Sequence, residues 1–260
     1  MPSVPWHLGP LSMLDFETTG IDTREARIVT GHFGTVLGRD GGRRPASRPV
    51  DLLVNPGVPI PVGATEVHGI TNEMAQVKGV DPRDAVNTYA KEISRSLIAR
   101  IPVTGFNIAY DLSLLYWECL RWDVPTVAER MGLPPSSAFG PIIDAYVLDM
   151  HVDQWRKGSR KLDDTFLKGP GVATHYGVPL TAAHTADADA MASVRVAVRI
   201  AEKYPDEIPT DAVVLHRLQK LWRADQASSL QRYFRTKGRK PDAYVDPCWP
   251  LCTDLTHPSG

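Results

Sequence analysis

Cysteine is scarce in this sequence, which has only Cys119, Cys248 and Cys252 in 260 residues. So few cysteines cannot supply the several disulfides that hold small secreted domains together, and we expect a protein of a reducing compartment. Cys248, Cys252 and His257 are also candidate zinc ligands, but a fourth ligand and the spacing usual for structural zinc sites are missing. The cysteines therefore indicate neither a disulfide framework nor a zinc module.

Long apolar segments are lacking as well. No run of about 18 apolar residues occurs, so the sequence offers no candidate for a membrane-spanning helix. Residues 1–6 have neither the basic nor the apolar region of a secretory signal peptide. We therefore predict a cytoplasmic protein that has no membrane partner.

The chain also lacks a large excess of either charge. Its formal net charge of -1 argues against a surface that binds polyanions everywhere. Residues 211–240 nevertheless carry eight Lys or Arg against two Asp, a net charge of +6. Residues 241–260 carry three Asp and no base, so residues 1–210 have a net charge of -4 by difference. An acidic part of the chain is thus followed by a basic segment.

A chain of 260 residues with 43% hydrophobic residues can form one large domain, with or without an appended segment. Apolar periodicity predicts strands at residues 27–37, 50–55, 101–106 and 141–145. It predicts helices at residues 81–98, 111–120, 185–204 and, in part, 162–176. Residues 55–61 are rich in proline and are predicted to be an irregular connection. Strands alternate with helices after residue 81, which favours an α/β layered fold.

The first apolar segment ends in two acids, Asp15 and Glu17. Side chains two residues apart in a strand lie on one face, so both carboxylates point the same way. Neighbouring carboxylates repel each other and lose hydration, and a bound cation relieves both effects. Acids are also common at strand ends without any ligand, so the pair alone is also compatible with a solvated strand end.

Further acids and a histidine follow later in the chain. Asp111 comes after a predicted strand, at the start of a helix, and Asp189 lies in the first turn of the helix predicted from about residue 185. His184 immediately precedes that helix. Taken alone, Asp187 and Asp189 are explained by the favourable interaction of acids with a helix N-terminus. The order of all these residues along the chain is the more informative feature.

This order resembles the DEDD superfamily of 3′→5′ exonucleases, specifically its DEDDh (DnaQ-like) branch. Three segments carry the resemblance: Asp15-Phe16-Glu17-Thr18-Thr19-Gly20, Gly105-Phe106-Asn107-Ile108-Ala109-Tyr110-Asp111 and His184-Thr185-Ala186-Asp187-Ala188-Asp189. A histidine five residues before the last aspartate distinguishes this branch from the one with a tyrosine four residues before it. The resemblance covers roughly residues 8–204. This part of the chain is similar to the exonuclease domain of the DNA polymerase III epsilon proofreading subunit.

The resemblance implies a ribonuclease H-like α/β fold, in which a mixed β-sheet is flanked by helices, over residues 1–204. Residues 205–260 lie beyond it and are predicted to be a C-terminal extension, made of a basic amphipathic helix at residues 212–234 and an irregular tail. An apolar stripe of this kind favours docking onto the chain's own domain. A partner surface and direct contact with nucleic acid are the alternatives.

The resemblance also implies roles for individual residues. Asp15, Glu17, Asp111 and Asp189 would hold two divalent cations, Mg²⁺ or Mn²⁺, because hard carboxylate oxygens suit hard cations. His184 would be the general base that takes a proton from the attacking water. The residues expected to contact substrate are Thr18, Thr19, Gly20, His68, Phe106 and Asn107.

Three acidic or aromatic residues need separate comment, because they differ from the family pattern or lie outside the proposed ligand set. Phe106 stands where many relatives have histidine, and Asp187 is an additional acid that we interpret as charge at a helix start. Asp144 matches an acid common in relatives, for which we expect either a structural role or a role in supporting the metal ligands. The basic segment Arg156 to Lys161 is predicted either to guide a nucleic-acid backbone or to be a solvated loop.

The implied reaction is hydrolysis of phosphodiester bonds from the 3′ end of DNA, with release of nucleoside 5′-monophosphates, as in DNA proofreading and repair. The expected partner is a single-stranded 3′ end, DNA more than RNA, and a DNA polymerase subunit is a candidate protein partner. An RNA 3′→5′ exonuclease or oligoribonuclease is an alternative, because discrimination depends on contacts at the 2′ position. A non-catalytic nucleic-acid-binding or polymerase-associated module is the second alternative.

Overall fold

A mixed β-sheet of six strands lies at the centre of the chain. The computed structural model describes residues 4–37, 44–46, 48–163, 169–180, 184–238 and 240–253. The strands are β1 (Leu11–Thr18), β2 (Ile28–Leu37), β3 (Arg44–Pro45), β4 (Val50–Leu53), β5 (Val103–Gly105) and β6 (Ile142–Asp144). Their order is β3-β2-β1-β5-β6, and β4 also pairs with β2. β1 is antiparallel to β2 and parallel to β5, which is in turn parallel to β6.

Helices flank this sheet. They are α1 (Val62–His68), α2 (Asn72–Lys78), α3 (Pro82–Ile98), α4 (Ala109–Arg121), α5 (Val127–Arg130), α6 (Ala145–Val152), α7 (Val172–His175), α8 (Ala186–Lys203) and α9 (Ala212–Thr236). Within the described ranges, none of the helices is long and apolar enough to cross a membrane. The mixed sheet, its flanking helices and the C-terminal helix confirm the predicted α/β fold class.

The side chains of β1 divide between the two faces of the sheet. Leu14 and Phe16 pack in a buried cluster with residues of α3, whereas Leu11 and Met13 pack in a second cluster with residues of α8. Alternation along the strand then places Asp15 on the same face as Leu11 and Met13. The apolar packing of β1 therefore directs its first acid toward α8.

The predicted strands and long helices are observed, whereas several short helices have no counterpart in the sequence patterns. The strands predicted at residues 27–37, 50–55, 101–106 and 141–145, and the helices predicted at 81–98, 111–120, 185–204 and 212–234, are observed with slightly different ends. α1 and α2 were not predicted, because each has seven residues and α1 buries none of them. Neither helix therefore shows an apolar stripe. Of the predicted partial helix at 162–176, α7 is observed, and residues 164–168 lie outside the described ranges.

The C-terminal helix α9 covers the edge of the sheet formed by β6. The His216 ring accepts a hydrogen bond at Nδ1 from the Ile142 N–H, at 3.2 Å. The Gln219 amide accepts one from the Asp144 N–H at 2.7 Å and donates one to the Ile142 carbonyl at 2.9 Å. These side chains replace the neighbouring strand that an edge would otherwise need. The predicted docking of the helix is thus confirmed, while the division of the chain at residue 204 stays a prediction.

Replacing Gln219 with Leu is expected to destabilise the protein by about 2–6 kcal/mol, because two buried backbone groups of β6 lose their partners at about 1–3 kcal/mol each. Gln219 is fully buried (0% exposed), so water cannot substitute for the amide. Urea denaturation followed by circular dichroism measures the change. Lys220→Ala, on the exposed side of the same helix, is the control. A Gln219→Leu midpoint equal to that of Lys220→Ala would contradict the edge role.

The prediction of reduced cysteines is wrong for two of the three. Cys248 and Cys252 form a disulfide, with their Cα atoms 5.4 Å apart, and Cys119 is free and buried. The chain turns back between the two residues, which brings them within the range that a disulfide requires, and sequence spacing alone does not reveal such a turn. A disulfide does not offer the thiolates that zinc binds, and His257 lies outside the described residues.

Candidate metal centre

Two strand residues begin the site. Asp15 and Glu17 lie near the C-terminal end of β1, opposite His32 and Thr30 of the antiparallel neighbour β2. Among the described residues, no hydrogen-bond donor contacts either carboxylate. Both side chains are half-buried, so they lose hydration without gaining a donor from the part of the chain that the structure describes.

The third acid comes from α8. This helix packs across β1 and places Asp189 in its first turn, where the helix dipole favours a negative charge. Carboxylate oxygens of Asp15, Glu17 and Asp189 all lie within 4.8 Å of one another. Three acids that are up to 174 positions apart in the chain are thus arranged like the ligands of a cation.

Asp111 adjoins this group from the other side. It lies in the first turn of α4, is buried, and accepts a hydrogen bond at Oδ1 from the Phe16 backbone N–H at 3.0 Å. Phe16 stands between Asp15 and Glu17, so this bond ties the α4 acid directly to the strand that carries the first two. The four predicted acids are therefore brought together, although Asp111 lies outside the tight group of three.

Burial and mutual repulsion shape the electrostatics of the site. Burial, followed by the charges of Asp111, Glu17 and Asp189, holds the pKa of Asp15 well above its usual value. Burial also raises the pKa of Asp189 to about 6, an effect that the neighbouring His184 partly opposes. The pKa values of Glu17 and Asp111 are raised, with burial again the largest cause. Acids in this state gain from binding either protons or a cation.

The residues present fit a divalent cation. Asp189 Oδ1 is buried and has no hydrogen-bond partner among the described residues, which is unusual for a charged oxygen. The donor set consists of carboxylate oxygens, the ligands that Mg²⁺ and Mn²⁺ prefer. The group of Asp15, Glu17 and Asp189, with Asp111 beside it, could therefore hold metal.

His184 lies at the rim of this group, just before α8. Its backbone has a positive φ of 66°, and its N–H donates a hydrogen bond to Asp189 Oδ2 at 3.1 Å. The imidazole Nε2 lies 3.5 Å from Asp163 Oδ2, and the side chain is 40% exposed. Asp163 was not among the predicted site residues, because it belongs to no recognisable motif and reaches His184 only through the fold.

The turn after β1 carries the predicted contacts Thr18, Thr19 and Gly20. The Thr18 hydroxyl bonds to the Gly20 carbonyl and to the Tyr110 hydroxyl, each at 2.8 Å, and Tyr110 also donates to the Gly20 carbonyl. Thr19 Oγ1 accepts from the Arg27 N–H at 2.9 Å. The two threonine side chains thus hold the turn in place. Tyr110, which was not assigned a role, fixes this turn from α4.

The other predicted substrate contacts are His68, Phe106 and Asn107. His68 ends α1, and burial lowers the pKa of its imidazole while the nearby Thr18 backbone partly opposes that effect. Its Nε2 is buried without a partner among the described residues. Phe106 is half-buried and its ring meets that of Tyr146 edge to face. Asn107 is exposed and has a positive φ of 57°.

Asp144 has the structural role expected of it. Its Oδ1 accepts hydrogen bonds from the Asn107 N–H at 2.9 Å and from the Tyr146 N–H at 3.1 Å. Its Oδ2 accepts from the Trp249 indole at 3.2 Å. Burial raises the pKa of Asp144 to about 6, against the effect of these bonds. Both oxygens are thus occupied by the protein. Asp187, by contrast, is exposed in the first turn of α8, as its interpretation as helix-start charge requires.

Both predictions for the basic segment 156–161 are wrong for its two arginines. Arg156 is buried and pairs with the buried Asp149 through bonds of 3.2 and 3.1 Å. Arg160 donates to the same carboxylate at 2.7 Å, and the Tyr176 hydroxyl donates at 3.1 Å. These arginines neutralise a buried acid instead of facing solvent or a ligand, and the sequence contains no sign of that partner.

Comparisons with solved structures identify the fold. No protein-family model and no curated protein matches the chain. Exonuclease I from E. coli in complex with a dT13 oligonucleotide matches with a TM-score of 0.55 and 17% identity, over 76% of this chain and 42% of that one. Exonuclease I from Methylocaldum szegediense matches with a TM-score of 0.55 and 21% identity, over 86% of this chain and 46% of that one. A zinc-bound complex of E. coli exonuclease I with single-stranded DNA matches with a TM-score of 0.56 and 16% identity, over 85% and 45%.

These likenesses confirm a ribonuclease H-like α/β fold shared with exonuclease I structures. This chain spans less than half the length of the three matched chains. The specific resemblance to the epsilon proofreading subunit stays a prediction, since the matched structures are of exonuclease I.

Proposed function

We propose that this chain is a metal-dependent 3′→5′ exonuclease of the DEDDh type that acts on single-stranded DNA ends. The observation that carries the proposal is the convergence of Asp15, Glu17 and Asp189 within 4.8 Å, beside Asp111 and His184. Clustered acids with raised pKa values are typical of a functional site, and no described residue donates a hydrogen bond to the Asp15 or Glu17 carboxylate. The fold shared with exonuclease I in its complexes with single-stranded DNA supports the same reading.

In the proposed mechanism, the four acids would hold two divalent cations, Mg²⁺ or Mn²⁺. Such cations neutralise charge on the attacking and leaving oxygens of an in-line displacement. His184 accepts the proton of the attacking water, for which an imidazole at the solvent-accessible rim is well placed. Asp163, at 3.5 Å from Nε2, orients the ring. The products are a shortened strand and a nucleoside 5′-monophosphate.

The 3′-terminal nucleotide is proposed to lie against the edge formed by the turn at residues 18–20, His68, Phe106 and Asn107. The turn is held rigid by Tyr110, so its backbone is a fixed surface. His68 contributes a buried nitrogen that has no partner among the described residues. These contacts bind and orient the sugar and base, and they do not hold metal.

The other elements of the proposal stay predictions. An RNA 3′→5′ exonuclease or oligoribonuclease uses the same chemistry and differs only in contacts at the 2′ position. A non-catalytic nucleic-acid-binding module would keep the binding edge without turnover. Association with a DNA polymerase, a part in proofreading or repair, and a cytoplasmic location likewise stay predictions from the sequence.

Single-stranded DNA and RNA of the same sequence, each labelled at the 5′ end, test the proposal directly. With Mg²⁺ or Mn²⁺ we expect the DNA to give a ladder that shortens from the 3′ end, and we expect excess EDTA to stop it, because the acids then lack their cation. RNA is expected to be cut more slowly. A DNA blocked at its 3′ end is the control for direction. Faster cleavage of RNA would favour the ribonuclease alternative, and no cleavage of either would favour the binding module.

A further inference from the structure

The tail that follows α9 packs against the elements behind the candidate metal centre. Trp249 is 3% exposed and belongs to the same buried cluster as β1 residues Leu14 and Phe16. Its indole N–H donates to Asp144 Oδ2 at 3.2 Å, across 105 positions in sequence. Three residues later, the Cys252 N–H donates to Ser113 Oγ at 2.8 Å. The tail thus contacts β6 and α4 together.

Asp144 is hydrogen-bonded both to Trp249 and to the turn that leads into α4. Its other oxygen accepts the N–H of Asn107 at 2.9 Å. Asn107 adopts a left-handed backbone with φ of 57°, which asparagine tolerates better than most residues, and the bond to Asp144 fixes the direction of its N–H. Asp111 follows four residues later, in the first turn of α4. The geometry of Asp144 therefore helps to set where the α4 acid is presented.

The second contact, between Cys252 and Ser113, lies on the C-terminal side of Asp111 in α4. Ser113 is buried on α4, two residues after Asp111. The α4 segment that carries Asp111 is thus held at Asn107 through Asp144 and at Ser113 by the tail itself. The disulfide between Cys248 and Cys252 closes the chain around Trp249, which limits the conformations that the tail can adopt.

We propose that Trp249 is a positioning residue for the metal centre: its indole N–H fixes Asp144, which fixes the Asn107 turn and so the Asp111 carboxylate. This inference rests on the proposed function. Residues 240–253 are then part of the catalytic unit, although the sequence resemblance to exonucleases ends at about residue 204. Groups that orient metal ligands through hydrogen bonds typically contribute 10–100-fold to metal affinity or activity.

The test compares Trp249→Phe with Trp6→Phe in the full-length chain. Trp6 is a matched control, because it is 4% exposed and its indole also donates one hydrogen bond, to the Pro209 carbonyl at 2.9 Å. It precedes β1 at the end away from the acids. Both variants are expected to lose similar thermal stability. Only Trp249→Phe is expected to lower kcat on single-stranded DNA by about 10-fold, with little change in KM, and to weaken Mn²⁺ binding in calorimetry by a similar factor.

A double variant separates positioning from packing. Asp144→Asn keeps one oxygen for the Asn107 and Tyr146 N–H groups but turns an amide NH₂ toward the Trp249 N–H, so that two donors face each other. Adding Trp249→Phe removes that conflict. We therefore expect the double variant to have at least the kcat of Asp144→Asn alone, a non-additive result.

Three outcomes decide the matter. Equal kcat and equal Mn²⁺ affinity for Trp249→Phe and Trp6→Phe would overturn the inference while leaving the exonuclease intact. A Trp249→Phe effect of the same size with Asp or Asn at position 144 would also overturn it, because the indole would then act independently of that residue. An unmodified protein that binds Mn²⁺ but cleaves nothing would instead overturn the proposed function. In that case, weaker Mn²⁺ binding by Trp249→Phe alone would still support the positioning of Asp111.

Discussion

Replacing Asp15 with Asn is expected to reduce nuclease activity by at least about 10³-fold, since the metal ions contribute several kcal/mol to the transition state and each 1.4 kcal/mol is a factor of ten. Asn lacks the charge needed to hold a divalent cation between Glu17 and Asp189. The fold is expected to persist, because Asp15 is only half-buried and no described residue donates a hydrogen bond to it. Cleavage of labelled DNA and calorimetric titration with Mn²⁺ measure the two losses.

The same variant carries a second, opposite expectation for stability. Burial and the neighbouring acids raise the pKa of Asp15, so its charged form is unfavourable in the metal-free protein. Its folded-state pKa lies above the unfolded value, so the destabilising effect of its charge is absent at low pH and grows as pH rises above the unfolded pKa. At neutral pH in EDTA, Asp15→Asn is therefore expected to melt at a higher temperature than the unmodified protein.

Two further variants serve as comparisons. Asp189→Asn should lose activity as Asp15→Asn does, because one of its carboxylate oxygens lies within 4.8 Å of those of Asp15 and Glu17. Asp187→Asn is the matched control, an exposed acid two residues earlier in the same helix turn, and should cleave normally. Near-normal cleavage by a folded Asp15→Asn protein would falsify the assignment of the metal centre.

Replacing His184 with Ala is expected to lower turnover by about 10²–10⁴-fold while sparing metal binding. The histidine contacts Asp189 through its backbone N–H, at 3.1 Å, and alanine keeps that group. Only the imidazole, at the rim of the site, is lost. Single-turnover cleavage reports the chemical step, and Mn²⁺ calorimetry under the same conditions reports the metal.

The result that would reverse this assignment is unchanged turnover together with lost Mn²⁺ affinity. His184 would then be a ligand and another group would accept the proton. Because alanine could also relax the left-handed backbone at this position, His184→Asn is the companion variant, since asparagine tolerates positive φ and cannot act as a base near neutral pH. Both variants should lose turnover equally.

Much of the fold was predictable because it depends on local patterns. The alternation of apolar residues in β1 placed Asp15 and Glu17 on one face, and the apolar periods of α3, α8 and α9 marked these helices correctly. Asp81 even marked the start of α3, which it caps. α1 and α2 were missed because short, exposed helices leave no apolar stripe.

For the candidate site, the order of acids and histidine in the sequence named the residues that the structure brings together. The sequence by itself determined their chemical identity and the strand or helix that carries each. They converge because α4 and α8 pack next to the C-terminal end of β1.

Only the tertiary structure decided which groups support that site. Asp163 beside His184, the buried pairing of Arg156 with Asp149, and Trp249 on Asp144 all join residues far apart or without a motif. Hydrogen bonds and ion pairs of this kind require the two groups to be placed to within a few tenths of an ångström, and sequence patterns do not contain that information. The chain order specified an acidic centre, whereas the packing of the C-terminal tail specified what holds it.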